Sequence, residues 1–352
     1  MADFKDIIGQ EHIKRNLLTS ILNNKISHAY IFTGEAGSGR HILADAFSKT
    51  LLCTGNTALK EEIRATSVSP NPDRRSIFKL DACDICRSCI QMDSCNNPDM
   101  VYITPEKNTI SVETIREKVN FLVDIKPYSG KYKIFVISDA DSMTEAAQNA
   151  LLKTIEEPPE YVVIILISNN TSMLLPTIVS RCVTLTTRPL DKSAIADYLQ
   201  HTFQMEKGSA EIAANFCQGN VGKAIHFATS EHFVEVKTSV LSLVKRIDKL
   251  PLTDIIEIIR SYALNSSGID DYLDLMLLWY RDILMFKVTK DANLLLYKDE
   301  YAAISDQASK RGYEEIEHII DGISTAKLRL KANVNFDTTI ELMLLNIKDG
   351  CK

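Results

Sequence analysis

Five short apolar segments in the first half of the chain constrain its fold more than any other feature. They are rich in β-branched and aromatic residues and alternate with segments of helical periodicity, as in "HAYIFTG" followed by "RHILADAFSKTLL". Buried apolar strands that alternate with helices are typical of a parallel sheet covered by helices on both faces. The sequence therefore predicts an α/β domain. Its strands are predicted at 28–34, 100–104, 131–141, 161–168 and 183–186.

The second half of the chain has a different texture. From about residue 192 onward the apolar residues recur at helical spacing, and no segment predicts a strand. Pro251 interrupts this pattern in "DKLPLTD". We therefore predict three domains: an α/β domain at 1–190, a small helical domain at 191–248 and an all-α domain at 249–352.

The segment between the first strand and the first helix, "GEAGSGRH", is close to a phosphate-binding loop. A P-loop reads G-x-x-x-x-G-K-[ST]; its amides cradle phosphates, its lysine reaches the β- and γ-phosphates and its hydroxyl binds magnesium. Gly34 and Gly39 keep the spacing, with Gly37 between them. Arg40 replaces the lysine and His41 replaces the hydroxyl residue. The loop is therefore predicted to keep its shape and to lack two of its chemical groups.

A second part of a nucleotide site is expected where the third strand ends, in "ISDAD". Asp139 is placed to hold magnesium, but Ala140 stands where a glutamate commonly activates water, and Asp141 is one residue too far along to replace it. We therefore predict a degenerate site without ATPase activity and leave open whether ATP still binds. Its residues are Gly34, Gly37, Gly39, Arg40 and Asp139.

The cysteines in "CDICRSC" have the spacing of thiolate metal ligands. Cys83, Cys86 and Cys89 are separated by two residues each, which favours zinc over a set of free thiols or a redox pair. Tetrahedral zinc needs a fourth ligand, and either Cys53 or Cys95 is available. No histidine lies nearby in the sequence, so a structural site is predicted.

Charge and hydropathy exclude several classes of protein. The net charge of −6 argues against a nucleic-acid binder whose affinity rests on overall positive charge, including a zinc-dependent DNA-binding protein. No apolar run approaches the roughly 18 residues that span a membrane. The start, "MADFKDIIGQ", lacks the pattern of a signal peptide. A cytoplasmic location is therefore expected.

Six motifs together resemble one family. They are "FKDIIGQEHIKRNL", "SHAYIFTGEAGSGR", "CDICRSC", "NPDMVYI", "NALLKTIEEPPE" and "LPTIVSRC", in this order. They resemble the bacterial clamp-loader branch of the AAA+ family from residue 4 to about 190, and "LLKTIEEPP" with "SRC" is highly specific. The resemblance implies an AAA+ P-loop-type domain with an inserted zinc module at about 53–95. A helical lid domain and an all-α collar domain are implied to follow.

The resemblance distinguishes two kinds of subunit in this branch. The gamma/tau motor carries an intact P-loop and an Asp-Glu pair, whereas the delta-prime type usually lacks both. Arg40, His41 and Ala140 resemble the second type. Gly222, in "GNVGKA", stands where the motor carries its sensor 2 arginine. The alternative is an active ATPase that uses Arg40 for lysine, which would also have to replace His41 and Ala140.

The same resemblance implies a ligand set for the metal. The family's zinc ligands correspond to Cys53, Cys83, Cys86 and Cys89. The segment at 54–82, which reads as a flexible insertion, is longer than is usual in the family. Cys95 therefore remains a substitute for Cys53, and the role of the insertion is open.

Finally, the resemblance implies a catalytic role in trans for Arg181, in "SRC". The residue would be an arginine finger that reaches the ATP site of a neighbouring subunit; without the resemblance it reads as an exposed arginine at a helix end. The implied partners are the gamma/tau and delta subunits of DNA polymerase III. The implied assembly loads a sliding clamp onto primed DNA.

Overall fold

The computed structural model describes residues 3–66, 77–106, 109–229, 231–265, 269–332 and 334–349. These residues form two compact units. The first comprises the described residues of Met1–Ala194 together with Gly219–Gly222. The second comprises Ile195–Gln218 and the described residues of Lys223–Lys352. The finer division of the helical part at residue 248 stays a prediction.

The first unit is built on a parallel sheet of five strands. In its described residues they are β1 (Ala29–Thr33), β2 (Met100–Ile103), β3 (Lys133–Ile137), β4 (Val162–Ser168) and β5 (Val183–Thr186). The strand order is β2-β3-β4-β1-β5, and every neighbouring pair is parallel. All five predicted strands are confirmed, and so is the AAA+ P-loop-type fold.

The three interior strands, β3, β4 and β1, are buried along their whole length, as their apolar sequences predicted. Successive side chains of a strand point to opposite faces. Tyr30 and Phe32 of β1 accordingly pack in one apolar cluster, whereas Ala29 and Ile31 pack in another on the opposite face. Helices cover both faces, which is why these strands lack alternating polar residues.

Seven α-helices accompany this sheet in the described residues of the first unit. They are α1 (Glu11–Leu22), α2 (Arg40–Leu52), α3 (Thr57–Thr66), α4 (Arg87–Asp93), α5 (Val112–Ile115), α6 (Glu145–Glu156) and α7 (Pro176–Val179). Short 3-10 turns lie at Phe4–Asp6, Ala140–Ser142 and Thr171–Met173.

Two segments differ from their sequence interpretation. The apolar spacing of residues 112–125, "VETIREKVNFLVDI", predicts one amphipathic α-helix. The α-helix instead ends at Ile115 and continues as a π-helical turn, in which the N–H of Phe121 donates to the carbonyl of Arg116. Part of the insertion at 54–82 is the regular helix α3, while residues 67–76 lie outside the described part of the chain.

The described residues after β5 contain helices and turns but no strand, which confirms the expected all-α texture. The α-helices are α8 (Lys192–Phe203), α9 (Lys207–Phe216), α10 (Val221–Thr229), α11 (Glu231–Arg246), α12 (Leu252–Asn265), α13 (Ile269–Thr289), α14 (Tyr301–Lys310), α15 (Tyr313–Lys331) and α16 (Phe336–Asp349). A buried polar chain fixes the packing of three of them: Trp279 Nε1 donates to Gln307 Oε1, and Gln307 Nε2 donates to the carbonyl of Val244.

Among the described residues, no helix combines the length and the apolar character that crossing a membrane requires.

Candidate functional site

One helix joins the two regions that the sequence singles out. Helix α2 begins at Arg40, directly after Gly39, and ends at Leu52, directly before Cys53. Thirteen residues at a rise of about 1.5 Å each make it about 20 Å long. The phosphate-loop segment therefore lies at its N-terminal end and the cysteine cluster at its C-terminal end.

The phosphate-loop segment, residues 34–39, has the backbone of a tight glycine turn. Gly34, Gly37 and Gly39 all have positive φ, which L side chains rarely adopt. Gly37 also faces a neighbour, because a Cβ added there would lie 2.6 Å from Asn220 Oδ1. The predicted loop shape is thus present, but its surroundings are already filled.

Residues 219–222 fill the space beside this loop. Asn220 Nδ2 donates to the carbonyl of Ala36 over 2.7 Å, and the N–H of Gly222 donates to the carbonyl of Gly37 over 2.9 Å. A Cβ on Gly222 would lie 2.7 Å from the Cα of Gly37. Backbone atoms do not yield as a flexible side chain does, so position 222 admits only glycine here.

The other side of the loop is closed by Thr187, which follows β5. Its Oγ1 lies 2.7 Å from Ser38 Oγ and donates to the carbonyl of Thr33 over 3.1 Å. The cavity between the loop, Thr187 and residues 219–220 has a volume of about 30 Å³. That space suits one or two waters.

Arg40, which replaces the P-loop lysine, is engaged elsewhere. Its side chain is buried, and its NH2 group donates to Asn169 Oδ1 over 2.8 Å. The N–H and Nδ2 of Asn169 donate in turn to the two carboxylate oxygens of Asp141. Asn169 follows β4, so three adjacent strand ends contribute to this network. Within the described residues, Arg40 Nε and NH1 have no hydrogen-bond partner.

The charges of this network follow from its burial and hydrogen bonds. Burial lowers the pKa of Arg40, while the nearby carboxylates of Asp139 and Asp141 act in the opposite direction. Burial acts to raise the pKa of Asp141, but the hydrogen bonds from Asn169 lower it overall. Arg40 therefore remains a cation that is bound within its own chain.

The expected metal-binding and water-activating positions also lie at this sheet edge. Asp139 is half-buried, has a left-handed backbone with φ of 47°, and precedes the turn Ala140–Ser142. Ala140 is fully buried in an apolar cluster with Ile137 and Met143. A carboxylate at residue 140 would consequently enter that cluster, so a single substitution to glutamate would not restore a water-activating group.

The structure brings the four cysteines of the family ligand set together. The Sγ atoms of Cys53, Cys83, Cys86 and Cys89 all lie within 4.8 Å of one another, and those of Cys53 and Cys86 are 4.0 Å apart. Four sulfurs bound at about 2.3 Å to one tetrahedral ion lie about 3.8 Å apart. This group can hold a metal. Cys95 is exposed and does not belong to it.

Cys86 is prepared for binding a cation. Partial burial acts to raise the pKa of its thiol, but hydrogen bonds from Thr54 and from the N–H of Cys89 lower the pKa to about 5. Burial raises the pKa of Cys53 and of Cys89. A thiolate is the form that ligates metal, and a bound cation would favour that form at all four positions.

A buried ammonium joins the cysteine cluster to the start of the chain. Lys49 lies one turn before Cys53, and its side chain is 2% exposed. Its Nζ contacts Asp3 at 3.0 Å, Asp84 at 2.6 Å and Asp93 at 2.9 Å. Burial acts to lower the pKa of Lys49, but these three hydrogen bonds raise it overall.

Arg181 lies apart from the loop network, at the surface just beyond α7. Its NH1 group donates to the carbonyl of Thr177 over 3.0 Å, and its NH2 group contacts Glu156 Oε1 at 2.9 Å. The side chain is 40% exposed. The guanidinium is therefore held on its own subunit but remains accessible to another.

Sequence reasoning missed four residues that shape these sites. Asn169 had a detectable signal, because it is a polar residue directly after a buried strand. No sequence signal marked the other three, because their partners are distant in sequence or belong to another element; they are Asn220, Lys49 and Glu156.

We expect Lys49→Met to lower the free energy of unfolding by about 2–3 kcal/mol. This is less than the roughly 3–5 kcal/mol for a fully buried pair, because Asp84 and Asp93 are more than one third exposed and solvent screens them. Chemical denaturation of the metal-loaded chain measures the change.

Lys5→Met is the matched control, because the exposed Lys5 pairs with the same Asp3 and Asp84. Its expected cost is under about 1 kcal/mol. Equal effects of the two substitutions would show that burial of Lys49 contributes nothing.

Comparison with known proteins agrees with this architecture. The family described as "DNA polymerase III, delta subunit" matches residues 9–68 and 73–191. DNA polymerase III subunit delta' of Bacillus subtilis is 28% identical, with 97% of each chain covered. Subunit delta' of Pseudomonas aeruginosa is 27% identical over 91% of each chain. Subunit tau of Bacillus subtilis is 25% identical over 90% of this chain but 57% of its own length. The chain thus belongs to the DNA polymerase III delta subunit family, within the clamp-loader branch of AAA+ proteins.

Proposed function

We propose that this clamp-loader subunit of DNA polymerase III is of the delta-prime type, and that it helps to load a sliding clamp onto primed DNA without hydrolysing ATP itself. The observation that carries the proposal is the state of the phosphate loop. The N–H of Gly222 and the amide of Asn220 bind the loop carbonyls, and Arg40, which replaces the P-loop lysine, is bound to Asn169. The altered residues Arg40, His41 and Ala140 support the same reading.

The relatives support this choice between the two subunit types. The delta' relative of Bacillus subtilis is 28% identical over 97% of this chain, whereas the tau relative of the same organism is 25% identical over 90% of it. The second candidate, an active gamma/tau-like ATPase, is favoured by the similarity to tau. It requires Arg40 to exchange Asn169 for phosphate.

We further propose that the four-cysteine cluster holds a structural zinc ion. The donor set fits, because four thiolates in a tetrahedral arrangement suit zinc and leave no open position for substrate. Cys53, Cys83, Cys86 and Cys89 would be the ligands. The ion would tie the end of α2 to the segment before α4 and thereby stabilise the module, with no part in chemistry.

For Arg181 we propose the role of an arginine finger that acts in trans. The residue is accessible at the surface and carries a planar fork of donors, which suits a phosphate of a neighbouring subunit's nucleotide. There it would stabilise charge that develops on the γ-phosphate during transfer. The proposed neighbours are the gamma/tau and delta subunits, and contact with the clamp and DNA would come through the assembly.

The isolated chain is expected neither to bind nor to hydrolyse Mg-ATP. Arg40, in place of the P-loop lysine, is bound to Asn169, and His41 and Ala140 replace the groups that bind magnesium and activate water. Titration with a fluorescent ATP analogue and a phosphate-release assay measure the two properties. Rapid magnesium-dependent phosphate release by the chain alone would favour the gamma/tau-like alternative.

Arg181→Ala should leave assembly with the motor subunits intact and abolish turnover in the one ATP site that Arg181 serves. Arginine fingers in GTPases raise the rate roughly 10³–10⁵-fold. The total ATPase rate of the complex should therefore fall by the fraction that this one ATP site contributes. Steady-state ATPase of the reconstituted complex measures the loss. Arg116→Ala, at another exposed arginine of the same unit, is the control; unchanged turnover in the Arg181 variant would exclude the finger role.

The purified chain is expected to contain about one zinc ion, measured by elemental analysis. Cys86→Ser should lose the ion, because three thiolates no longer complete a tetrahedral site. Cys95→Ser should retain it, since Cys95 is exposed and outside the group. Loss of zinc from the Cys95 variant would contradict the ligand set.

A further inference from the structure

Arg181 and Glu156 form an ion pair between two rigid supports. Glu156 is the last residue of α6, where its neighbour Ile155 is buried, and Arg181 follows α7, where Ile178 is buried. Their backbones are thus anchored in the apolar core while both side chains reach solvent; Glu156 is 46% exposed. The pairing is therefore a property of the folded subunit and needs no partner to form.

The acceptors of the guanidinium differ in charge, and a third one, Ser180 Oγ at 3.5 Å from NH1, is neutral. The Thr177 carbonyl is neutral and binds NH1, whereas the Glu156 carboxylate is anionic and binds NH2 over 2.9 Å. A carboxylate and a phosphate compete for the same donors, and they repel each other when both lie beside one guanidinium. While Glu156 is bound, Arg181 therefore presents little net positive charge to a nucleotide.

The ion pair between Arg181 and Glu156 is weak enough to be exchanged for another acceptor. An ion pair between exposed side chains shifts a population by no more than about five-fold. A γ-phosphate carries more negative charge than a carboxylate and can accept from the guanidinium in a bidentate manner. The Thr177 carbonyl can keep its hydrogen bond during the exchange, so the side chain need not lose its orientation.

We infer that Glu156 is a positioning residue that parks Arg181 on its own subunit until the phosphate of a neighbouring subunit's nucleotide displaces it. This rests on the proposed function, because it requires Arg181 to act on that nucleotide. The unassembled subunit thus keeps its finger neutralised. In the assembly, breaking the pair adds a small barrier to each turnover in the neighbouring site.

The test uses the reconstituted complex with Glu156→Gln, which removes the charge and keeps the shape. The matched control is Glu157→Gln, at the adjacent exposed glutamate. The measured quantity is the fraction of the ATPase rate of the complex that Arg181→Ala abolishes. We expect Glu156→Gln to raise the kcat of that part about two- to five-fold with KM unchanged, and Glu157→Gln to leave both unchanged.

A double variant makes the test specific. In the Arg181→Ala background, Glu156→Gln should have no effect, because no finger remains to be released. In the isolated chain, the NMR signal of the Arg181 side-chain N–H should shift in Glu156→Gln and not in Glu157→Gln. An unchanged or lower kcat in Glu156→Gln, or an increase that persists without Arg181, would overturn the inference.

Failure of this inference is distinguishable from failure of the proposed function. If Arg181→Ala lowers turnover while Glu156→Gln matches the wild type, the finger role stands and the parking role is wrong. If Arg181→Ala itself changes nothing, both are wrong.

Discussion

The hydrogen bond from the N–H of Gly222 to the carbonyl of Gly37 is the contact on which the rest of the candidate site depends. It brings the two backbones so close that residue 222 cannot carry a side chain. In a phosphate loop the backbone amides approach the ligand. Here the chain itself binds loop carbonyls, because Gly222 donates to Gly37 and Asn220 donates to Ala36. The loop is thus stabilised by contacts within the chain.

Helix α2 connects this loop with the cysteine cluster, and both of its ends are fixed. Arg40, at its first residue, is tied through Asn169 to Asp141 at the edge of the sheet. Lys49, near its last turn, contacts carboxylates from the start of the chain, from within the cysteine motif and from the end of α4. A helix anchored at both ends has little freedom to shift.

The sequence predicted those features that local pattern determines. The apolar runs between helical segments predicted all five strands. The spacing of Cys83, Cys86 and Cys89 predicted three of the four cysteines that can hold a metal. The fourth, Cys53, came only from the family resemblance, because 29 residues separate it from Cys83. Contacts such as Asn220 with Ala36 lie beyond local pattern, since they join residues 184 positions apart. The π-helical turn after Ile115 was missed for a different reason: it preserves nearly helical apolar spacing, which periodicity alone does not distinguish from an α-helix.

Two arginines of the candidate site differ in burial, and therefore in how easily each can exchange its binding partner. Arg40 is 4% exposed and bound to Asn169, so replacing its partner by an external phosphate would mean breaking a buried network. Arg181 is 40% exposed and bound to a carboxylate that is equally open to solvent, so exchange of its partner costs little. Because Arg40 is buried, its guanidinium stays bound within its own chain, whereas the exposed guanidinium of Arg181 is accessible to a neighbour. Arg40 binds Asn169 and Arg181 binds Glu156 and Thr177, so the two guanidiniums have separate partners. A change at position 40 therefore need not alter how Arg181 is held.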